Sequence, residues 1–537
     1  MMLPLENLTV SQLLRRTAAR FPARPALEYQ AHMWTYQALD AQVDQTARRL
    51  LAWGIRRGAR VGLWCEAEPN AIFLLYALFR IGAAATLLNT SLQRTELVEL
   101  LRCTDVDYLI ISDGYKGQYF PEICRNLIQE LPCLQSVLSI GQDGGYDGLP
   151  TLDCLMEASE QALLLAEAEV TAQDIGTILY TSGTTSSPKA VMSTQYSRVN
   201  SGIQQAHDLG ATETDRFCVA IPMFHCFCLS VNLIAACAVG ACLYLPENRK
   251  TSTLLKAVSV GKCTILSSVP TLFHAILCRP DFQQWDLSSL RTGFIGGSFY
   301  PPELFRQIND GFGFTLLSSL GQTEATAGLT AASLDDPLET RAETVGHFMD
   351  HVEGKIVHIE TGEPQPVGSP GEICVRGYLV MAGYYHQPDA TAQAIDADGW
   401  LHTGDIGYLD GNGNIHLTGR LKELIIRGGE NISPAEIEMA LGDCPEIKEC
   451  KAVGVSDRHY GEEICLCIVP QNGATIQKAA VCFKLAQRLA EFKIPKYILF
   501  LEALPRTTTG KIRPAELSKL AQKYLNIPSY YSNPQNC

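Results

Sequence analysis

Short apolar runs rich in β-branched and aromatic residues alternate with longer segments whose apolar positions follow helical spacing. Strands that alternate with helices pack as α/β layers, because each helix crosses back over the sheet before the next parallel strand. We therefore predict an α/β fold with largely parallel sheets. The strand-like runs are residues 61–65, 108–112, 177–180 and 264–267, and the helical segments include residues 68–81 and 94–103.

The pattern changes near Val352, where short apolar stretches become separated by turns rich in Gly, Pro, Asp and Asn. That spacing indicates an antiparallel β segment. After Arg420 a compact stretch of mixed helical and strand patterns runs to the end. A chain of 537 residues is too long for one ordinary core. We predict a large N-terminal domain, residues 1–420, of layered α/β sheets plus the β segment, and a small C-terminal α+β domain, residues 421–537.

The composition is that of a globular protein, with 46% hydrophobic and 19% charged residues. A formal net charge of -14 argues against a nucleic-acid-binding surface, although local backbone N–H groups can still hold an anionic ligand. The nineteen cysteines are scattered and contain no CxxC pair. We interpret them as small buried hydrophobic residues in a reducing, cytoplasmic setting, and we predict no structural zinc site.

Two segments bear on membrane association. Residues 10–20 have the spacing of an amphipathic helix and lack the apolar core of a secretory signal. Residues 229–245 are the most hydrophobic stretch, but Ser230 and Asn232 interrupt it. We predict a buried helix followed by a strand there, and no integral membrane segment.

The string Thr181-Ser-Gly-Thr-Thr-Ser-Ser-Pro-Lys189 follows one of the predicted strands. Its small hydroxyl residues and glycine allow the backbone to approach a polyphosphate, and Lys189 adds a positive charge. It is not a Walker A motif, because GxxxxGK[ST] is absent and the residues after Pro188 have a strand pattern. Alone, such a string is more often a surface turn, so its function depends on the other motifs.

Seven further strings follow this loop in order. They are Pro222-Met-Phe-His225, Arg291-Thr-Gly-Phe-Ile-Gly-Gly-Ser298, Gly321-Gln-Thr-Glu324, Gly399-Trp-Leu-His-Thr-Gly-Asp405, Gly419-Arg-Leu-Lys-Glu423, Gly428-Gly-Glu-Asn-Ile432 and Pro505-Arg-Thr-Thr-Thr-Gly-Lys511. With the loop, they make nearly the whole chain resemble the adenylate-forming superfamily of acyl-CoA synthetases, adenylation domains and luciferases.

Within this superfamily the chain is most similar to medium-chain fatty acyl-CoA synthetases. The strings that carry this likeness are Arg376-Gly-Tyr378, Met381-Ala-Gly-Tyr384, Ile425-Ile-Arg-Gly-Gly-Glu-Asn431, Gly461-Glu-Glu-Ile-Cys465 and Phe492-Lys-Ile-Pro-Lys-Tyr497. The resemblance implies that ATP and Mg²⁺ convert a small carboxylic acid, first of all a fatty acid, to acyl-AMP. Coenzyme A then takes the acyl group, and the small C-terminal domain is mobile between the two steps.

The resemblance also assigns candidate roles. Lys511 is the expected catalytic residue of adenylation, and Glu324 with Thr184 is expected to hold Mg²⁺. Asp405 and Arg420 are expected to bind the ribose and phosphates. The hinge is placed at Lys422, and Gly429 is placed in the coenzyme A channel. The other expected nucleotide contacts are Thr181, Ser182, Gly183, Thr185, Lys189, Gly297, Ser298, Leu320, Gly321 and Thr323, and the expected acyl pocket includes His225, Gly296 and Ser319.

Five positions depart from the pattern. Ser186 and Ala190 stand where glycine is usual, so a Cβ would clash there if the backbone needs a positive φ. Leu320 replaces an aromatic residue that usually stacks on adenine, which would weaken nucleotide binding by about 1 kcal/mol. Cys228 stands where a glycine is common near the acyl pocket. Gln195 stands where a histidine is usual in the strand after the loop.

Two other functions stay open at this point. A free-standing adenylation enzyme would pass the acyl group to the phosphopantetheine arm of an acyl carrier protein, with the same thiol chemistry. A weakened acyl-adenylate-binding protein is a third reading, which the altered glycines and Leu320 favour. The presence of Lys511 and Glu324 counts against that third reading.

Overall fold

The computed structural model describes residues 3–140, 149–181, 188–427, 430–457, 460–489, 491–507 and 510–527. Six residues singled out in the sequence lie outside these ranges, and so their predicted roles are not addressed by the structure. They are Ser182, Gly183, Thr184, Thr185, Ser186 and Gly429.

The first of two large sheets has seven strands and is parallel except at one edge. The edge strand, His32–Thr35, runs antiparallel to its neighbour Pro25–Tyr29. The other pairings are parallel, as the alternation of strands and helices predicts. In spatial order the strands are Thr315–Ser318, Thr292–Ile295, Ile265–Leu266, Arg216–Cys218, Cys242–Leu245, Pro25–Tyr29 and His32–Thr35.

The second sheet also has seven strands, and five of them are parallel. The strand Lys189–Thr194 runs antiparallel to both of its neighbours, which confirms the strand predicted after Pro188. All four predicted strand runs overlap strands of the two large sheets. In spatial order the second sheet is Gly383–Tyr384, Lys189–Thr194, Ile175–Thr181, Ala84–Leu87, Arg60–Trp64, Tyr108–Ile111 and Ser136–Ser139.

One apolar core joins the two large sheets. It contains Phe217 and Leu243 from the first sheet together with Leu63 and Ile110 from the second. The helix Pro69–Arg80 contributes to the same core, and every side chain from Ala71 to Arg80 is buried. A helix that is buried on all sides must lie inside a layered structure and not on its surface. The two sheets therefore share one interior.

The segment 229–245 forms the predicted buried helix and strand. A π-helical turn, Cys228–Ile234, leads into the helix Ala235–Val239, and the strand Cys242–Leu245 follows in the first sheet. Within the described ranges, no helix combines the length and the apolar character that crossing a membrane requires.

The region after Val352 contains the predicted antiparallel sheet, with strands Val352–Val357, Gly371–Gly377, Leu401–Leu409 and Ile415–Arg420 in that spatial order. After Arg420 a further sheet is packed with helices, as the α+β pattern indicates. Its strands are Glu430–Ile432, Ile425–Arg427, Gly461–Pro470, Ile447–Asp457 and Tyr497–Phe500, and its helices are Pro434–Met439, Lys478–Ala486 and Pro514–Tyr524.

The remaining elements connect the sheets. The helices are Val10–Arg20, Tyr36–Trp53, Arg94–Cys103, Phe120–Ile123, Leu127–Glu130, Glu160–Ala168, Gln195–Asp208, Thr251–Ser259, Pro270–Leu277, Pro302–Phe312, Leu338–Glu343 and Pro388–Ala394. Short 3₁₀ turns occupy Leu152–Cys154, Phe282–Gln284, Thr323–Ala325, Leu421–Glu423 and Glu491–Lys493. Two-residue strands form three ribbons: Gly114–Tyr115 with Gln118–Tyr119, Gly321–Gln322 with Ala327–Gly328, and Thr330–Ala331 with His347–Phe348.

Gln195 is not in a strand, contrary to the sequence-based expectation, because Thr194 caps a helix that begins at Gln195. Its side chain is fully buried and connects two other helices. The amide oxygen accepts a hydrogen bond from the Val10 backbone N–H at 2.9 Å, and the amide nitrogen donates to the Phe79 carbonyl at 3.0 Å. Gln195 thus gives the Val10 N–H its acceptor and adds a second donor to the Phe79 carbonyl, which also accepts from the Gly82 N–H at 3.3 Å.

We predict that Gln195→Leu lowers the free energy of unfolding by about 2 kcal/mol, because it leaves the buried Val10 N–H unpaired and removes one donor from the Phe79 carbonyl. Urea unfolding followed by circular dichroism would measure the loss. Gln195→His is the matched control, since a neutral imidazole also offers one donor and one acceptor. Equal losses in the two variants would show that these hydrogen bonds are not what Gln195 contributes.

Candidate active site

The two ends of the predicted phosphate loop lie side by side. Thr181 ends one strand and pairs with Lys189 at the start of the next. Ala190 follows in that strand, outside the left-handed region, and its Cβ packs against Ala84 and Ile178. The predicted clash at Ala190 therefore does not occur. The Lys189 ammonium lies 4.5 Å from the centroid of the Tyr384 ring, which places its charge at the base of the loop.

Tyr384 connects Lys189 to Glu324. Its hydroxyl donates a hydrogen bond to Oε1 of Glu324 at 2.9 Å. Burial and the neighbouring Glu324 carboxylate raise the pKa of Tyr384 above its ordinary value, so the hydroxyl stays protonated and remains a donor. Glu324 lies in the 3₁₀ turn Thr323–Ala325, and its carbonyl accepts from the Met381 N–H at 2.9 Å. The role of Tyr384 was missed in the sequence, although it ends one of the recognised strings.

Asp405 and Arg420 face each other across the last two strands of the antiparallel sheet. The Arg420 Nε donates to Oδ1 of Asp405 at 2.7 Å, and the Asp405 side chain is only 1% exposed. Its second oxygen, Oδ2, is buried and has no hydrogen-bond partner in the described part of the chain. Burial raises the pKa of Asp405, and the Arg420 guanidinium opposes that shift. The site thus contains a buried acceptor that is ready for a donor from a ligand.

A cluster on the adjoining strands holds the Asp405 backbone in place. Oε1 of Glu372 accepts from the Gly404 N–H at 2.9 Å, and Oε2 pairs with Nδ1 of His402 at 2.8 Å. The Thr403 hydroxyl donates to the Ile373 carbonyl at 2.7 Å. Glu372, His402 and Cys374 place potential metal ligands within 4.8 Å of one another. The two Glu372 hydrogen bonds clamp the backbone next to Asp405 to the neighbouring strand.

The charges of this pair act on Lys511, although Lys511 comes from the far end of the chain. Its backbone is fixed by a tight turn, in which the Thr507 N–H donates to the Lys511 carbonyl at 2.7 Å. The surrounding protein lowers the pKa of the Lys511 ammonium, and the positive charge of Arg420 lowers it further. Asp405 and Cys226 are close enough to raise it in part. The Lys511 side chain still reaches solvent, as a group in an open cleft would.

His225 is half-buried and its ring packs against Phe224. Burial lowers the pKa of His225 to about 4, with further contributions from Lys511 and Arg249, so the imidazole is neutral at physiological pH. Next to it, Sγ of Cys226 lies 3.8 Å from the Thr323 hydroxyl. Cys226 was not predicted as a site residue, although it directly follows a recognised string. Cys228 is buried in the π-helical turn.

Gly296 and Ser319 follow neighbouring parallel strands of the first sheet and lie at the carboxyl edge. A Cβ on Gly296 would come within 2.7 Å of the Ser319 carbonyl oxygen, so only glycine fits there. Gly297 adopts a φ of +87°, which also favours glycine, and Ser298 is exposed beside it. The crevice outside the carboxyl ends of parallel strands is where α/β proteins commonly bind ligands.

Leu320 and Gly321 complete this edge. Leu320 is buried among Ala325, Leu329 and Tyr378, so its side chain is part of an apolar cluster. A Cβ on Gly321 would come within 2.3 Å of the Ala327 carbonyl oxygen, which explains the glycine. Lys422 lies away from these groups, exposed in the turn Leu421–Glu423.

Two family models match the chain. The model described as AMP-binding enzyme covers residues 14–385, and the AMP-binding enzyme C-terminal domain covers residues 436–511. "Putative acyl-CoA synthetase YngI" of Bacillus subtilis is 36% identical over 97% of this chain and 98% of its own. "Medium-chain acyl-CoA ligase ACSF2, mitochondrial" of Rattus norvegicus is 33% identical over 97% of this chain and 89% of its own.

Solved structures show the same likeness. The anthranilate CoA ligase AuaEII in complex with anthranoyl-AMP has a TM-score of 0.86 and 25% identity, over 98% of this chain and 99% of its own. ATP-bound MatB from Rhodopseudomonas palustris has a TM-score of 0.83 and 26% identity, over 96% and 100% of the two chains. With sequence, fold and site geometry in agreement, this chain belongs to the AMP-binding enzyme family and is an acyl-CoA synthetase, an AMP-forming acid–thiol ligase.

Proposed function

We propose that this ligase activates a fatty acid of medium chain length as its acyl-AMP and transfers the acyl group to coenzyme A. A carboxylate oxygen of the acid attacks the α-phosphorus of ATP, and pyrophosphate leaves. The thiol sulfur of coenzyme A then attacks the acyl carbon, and AMP leaves. The observation that carries the proposal is the buried Asp405–Arg420 pair, whose charges act on the Lys511 ammonium. The named chain length of the rat relative supports the choice of acid.

The Asp405 carboxylate is the proposed ribose ligand. Its unpartnered Oδ2 can accept a hydrogen bond from a ribose hydroxyl, and that bond would satisfy a buried acceptor. Arg420 holds the other oxygen of the carboxylate and is half exposed, so it can also reach a ligand oxygen. Gly296, Gly297 and Gly321 would allow the backbone to approach the nucleotide, and Thr323 with Ser298 would add hydroxyl groups.

Glu324 is the proposed protein ligand of Mg²⁺, with Thr184 of the phosphate loop as its partner. A single carboxylate fits this role, because Mg²⁺ in such sites takes most of its other ligands from phosphates and water. When bound, the ion would neutralise charge on the leaving pyrophosphate. Tyr384 orients the Glu324 carboxylate by its hydrogen bond, and Lys189 places a positive charge nearby.

The acyl group is proposed to lie along His225, Gly296 and Ser319. The neutral imidazole of His225 places no charge against an apolar chain. Gly429 is proposed to line the pantetheine channel, where a larger residue would obstruct the thiol. A reducing cytoplasmic setting is consistent with the described cysteines, which are all free thiols.

The proposed hinge at Lys422 is supported by what holds the residues on either side. Arg420 is bound to Asp405 of the N-terminal region. Glu423 is bound to Lys451 at 3.0 Å, and Lys451 also pairs with Glu438 at 3.2 Å in the C-terminal region. Only Leu421 and Lys422 lie between the two anchors. We therefore propose that residues 1–420 and 421–537 move as separate domains about this short connection.

The acid can be identified by measuring ATP–pyrophosphate exchange in the presence of carboxylic acids of graded chain length. Mass spectrometry then detects the thioester product. We expect the highest kcat/KM for medium-chain acids and an acyl-CoA product. Exchange without any thioester, or thioester only with a carrier protein, would contradict the proposed acceptor. A preference for aryl acids would contradict the proposed substrate.

We predict that Lys511→Ala slows acyl-AMP formation by on the order of 10²–10³, because it removes one charge contact made to the transition state. Conversion of supplied acyl-AMP to acyl-CoA should stay close to that of the wild type. Exchange and thioester assays measure the two steps separately. If both half-reactions fell equally, Lys511 would not be specific to adenylation.

We predict that Lys422→Pro keeps acyl-AMP formation and loses most thioester formation. A 3₁₀ turn has φ values of about -50° to -70°, which proline allows, and the proline ring prevents the change of φ that a hinge needs. Lys422→Ala is the matched control and should retain both steps. Single-turnover assays from ATP and from supplied acyl-AMP separate them, and normal coenzyme A turnover in the proline variant would rule out this hinge.

A further inference from the structure

Arg198 is fully buried, and no carboxylate lies within ion-pair distance of it in the described part of the chain. Arg80, an equally buried arginine, is paired with Asp40 and Asp44. Removing an unpaired charge from water costs several kcal/mol. A guanidinium in this position therefore needs an explanation beyond packing.

The partners of Arg198 belong to segments that converge on the candidate site. Nη2 donates to the Thr177 hydroxyl at 2.8 Å, in the strand that leads into the phosphate loop. Nη1 donates to the Thr326 carbonyl at 2.8 Å and to the Ser230 hydroxyl at 3.1 Å. Nε has no partner within the residues described. All three acceptors are uncharged, so nothing at the guanidinium neutralises it.

Thr326 lies two residues after Glu324 and adopts a φ of +57°. A β-branched residue in this left-handed region is strained, and such strain persists only where surrounding contacts impose it. Its carbonyl accepts from both Arg198 and Ser230, and its hydroxyl donates to the Leu379 carbonyl at 2.7 Å. Arg198 is therefore one of the groups that hold the turn carrying Glu324.

The charge of Arg198 also reaches this turn. Burial lowers its pKa to about 10, so the guanidinium remains charged at neutral pH. It acts on the Cys226 thiol, whose sulfur lies 3.8 Å from the Thr323 hydroxyl. Because the guanidinium is away from water, salt and solvent screen it only weakly. The buried side of the Thr323–Thr326 turn therefore faces the positive charge of the Arg198 guanidinium.

We propose that Arg198 is a positioning residue for MgATP. Arg198 holds the strained turn that carries Glu324, and its uncompensated charge attracts the polyphosphate from the buried side of that turn. This inference rests on the proposed function, in which Glu324 and the phosphate loop hold MgATP. Arg198 touches no ligand itself. It acts through the turn and through the field of a buried cation.

The test is calorimetric titration of MgATP without acid, so that no turnover occurs, together with the KM for ATP in the exchange assay. Arg198→Met should weaken MgATP binding about ten-fold, the size of one lost charge interaction across a poorly screened gap. Arg198→Lys keeps the charge and should weaken MgATP binding about three-fold. Ser230→Ala removes one hydrogen-bond donor to Thr326 but no charge, and it should change MgATP binding less than two-fold.

Failure to bind MgATP in the wild type would contradict the proposed function itself. If the wild type binds and a folded Arg198→Met variant binds equally well, the role of Arg198 is wrong. Equal weakening by Lys and Met would assign the effect to packing and overturn the role of the charge. Should Arg198→Met fail to fold, Arg198→Gln serves as the neutral variant, because its amide can still donate to Thr326. If Arg198→Gln bound MgATP as tightly as the wild type does, that result would also contradict the proposal.

Discussion

The Asp405 carboxylate is held away from water at the end of the antiparallel sheet and balanced by a single guanidinium, that of Arg420. The register of two strands places them opposite each other, and the Glu372 clamp fixes the backbone beside them. One carboxylate oxygen stays unpartnered, because the guanidinium satisfies only the other. In the proposed function, the same pair supplies the ribose acceptor and lies next to the proposed hinge at Lys422.

The proposed function places an anionic ligand near this pair. Lys511, Arg420 and Lys189 would supply positive charge to it, and the buried Arg198 would add to them, as we propose above. The net charge of the chain is -14, so the site is a local exception to the rest of the surface. Binding ATP in such a cleft requires fixed positive groups, because a negative protein repels a polyanion at long range.

The shared core of the two large sheets provides the rigid platform for these groups. The buried helix Pro69–Arg80 and the side chain of Gln195 join the layers, and the carboxyl edge of the first sheet carries Gly296 and Ser319. Beyond Arg420 the anchor changes to the Glu423–Lys451 pair. The proposed rotation of residues 421–537 about Lys422 would take place between these two anchored parts of the chain.

The sequence by itself determined the α/β layers, the antiparallel segment and the identity of the main candidates, because periodicity and ordered motifs are local signals. It named Glu324, Asp405, Arg420 and Lys511, but Gln195 was placed in the wrong element and no clash arises at Ala190. Tertiary structure alone decided that the charge of Asp405 acts on Lys511, that Tyr384 holds Glu324, and that Arg198 binds the Thr326 carbonyl in the same turn. These contacts join segments far apart in sequence, and hydrogen bonds between them depend on distances that no local pattern encodes.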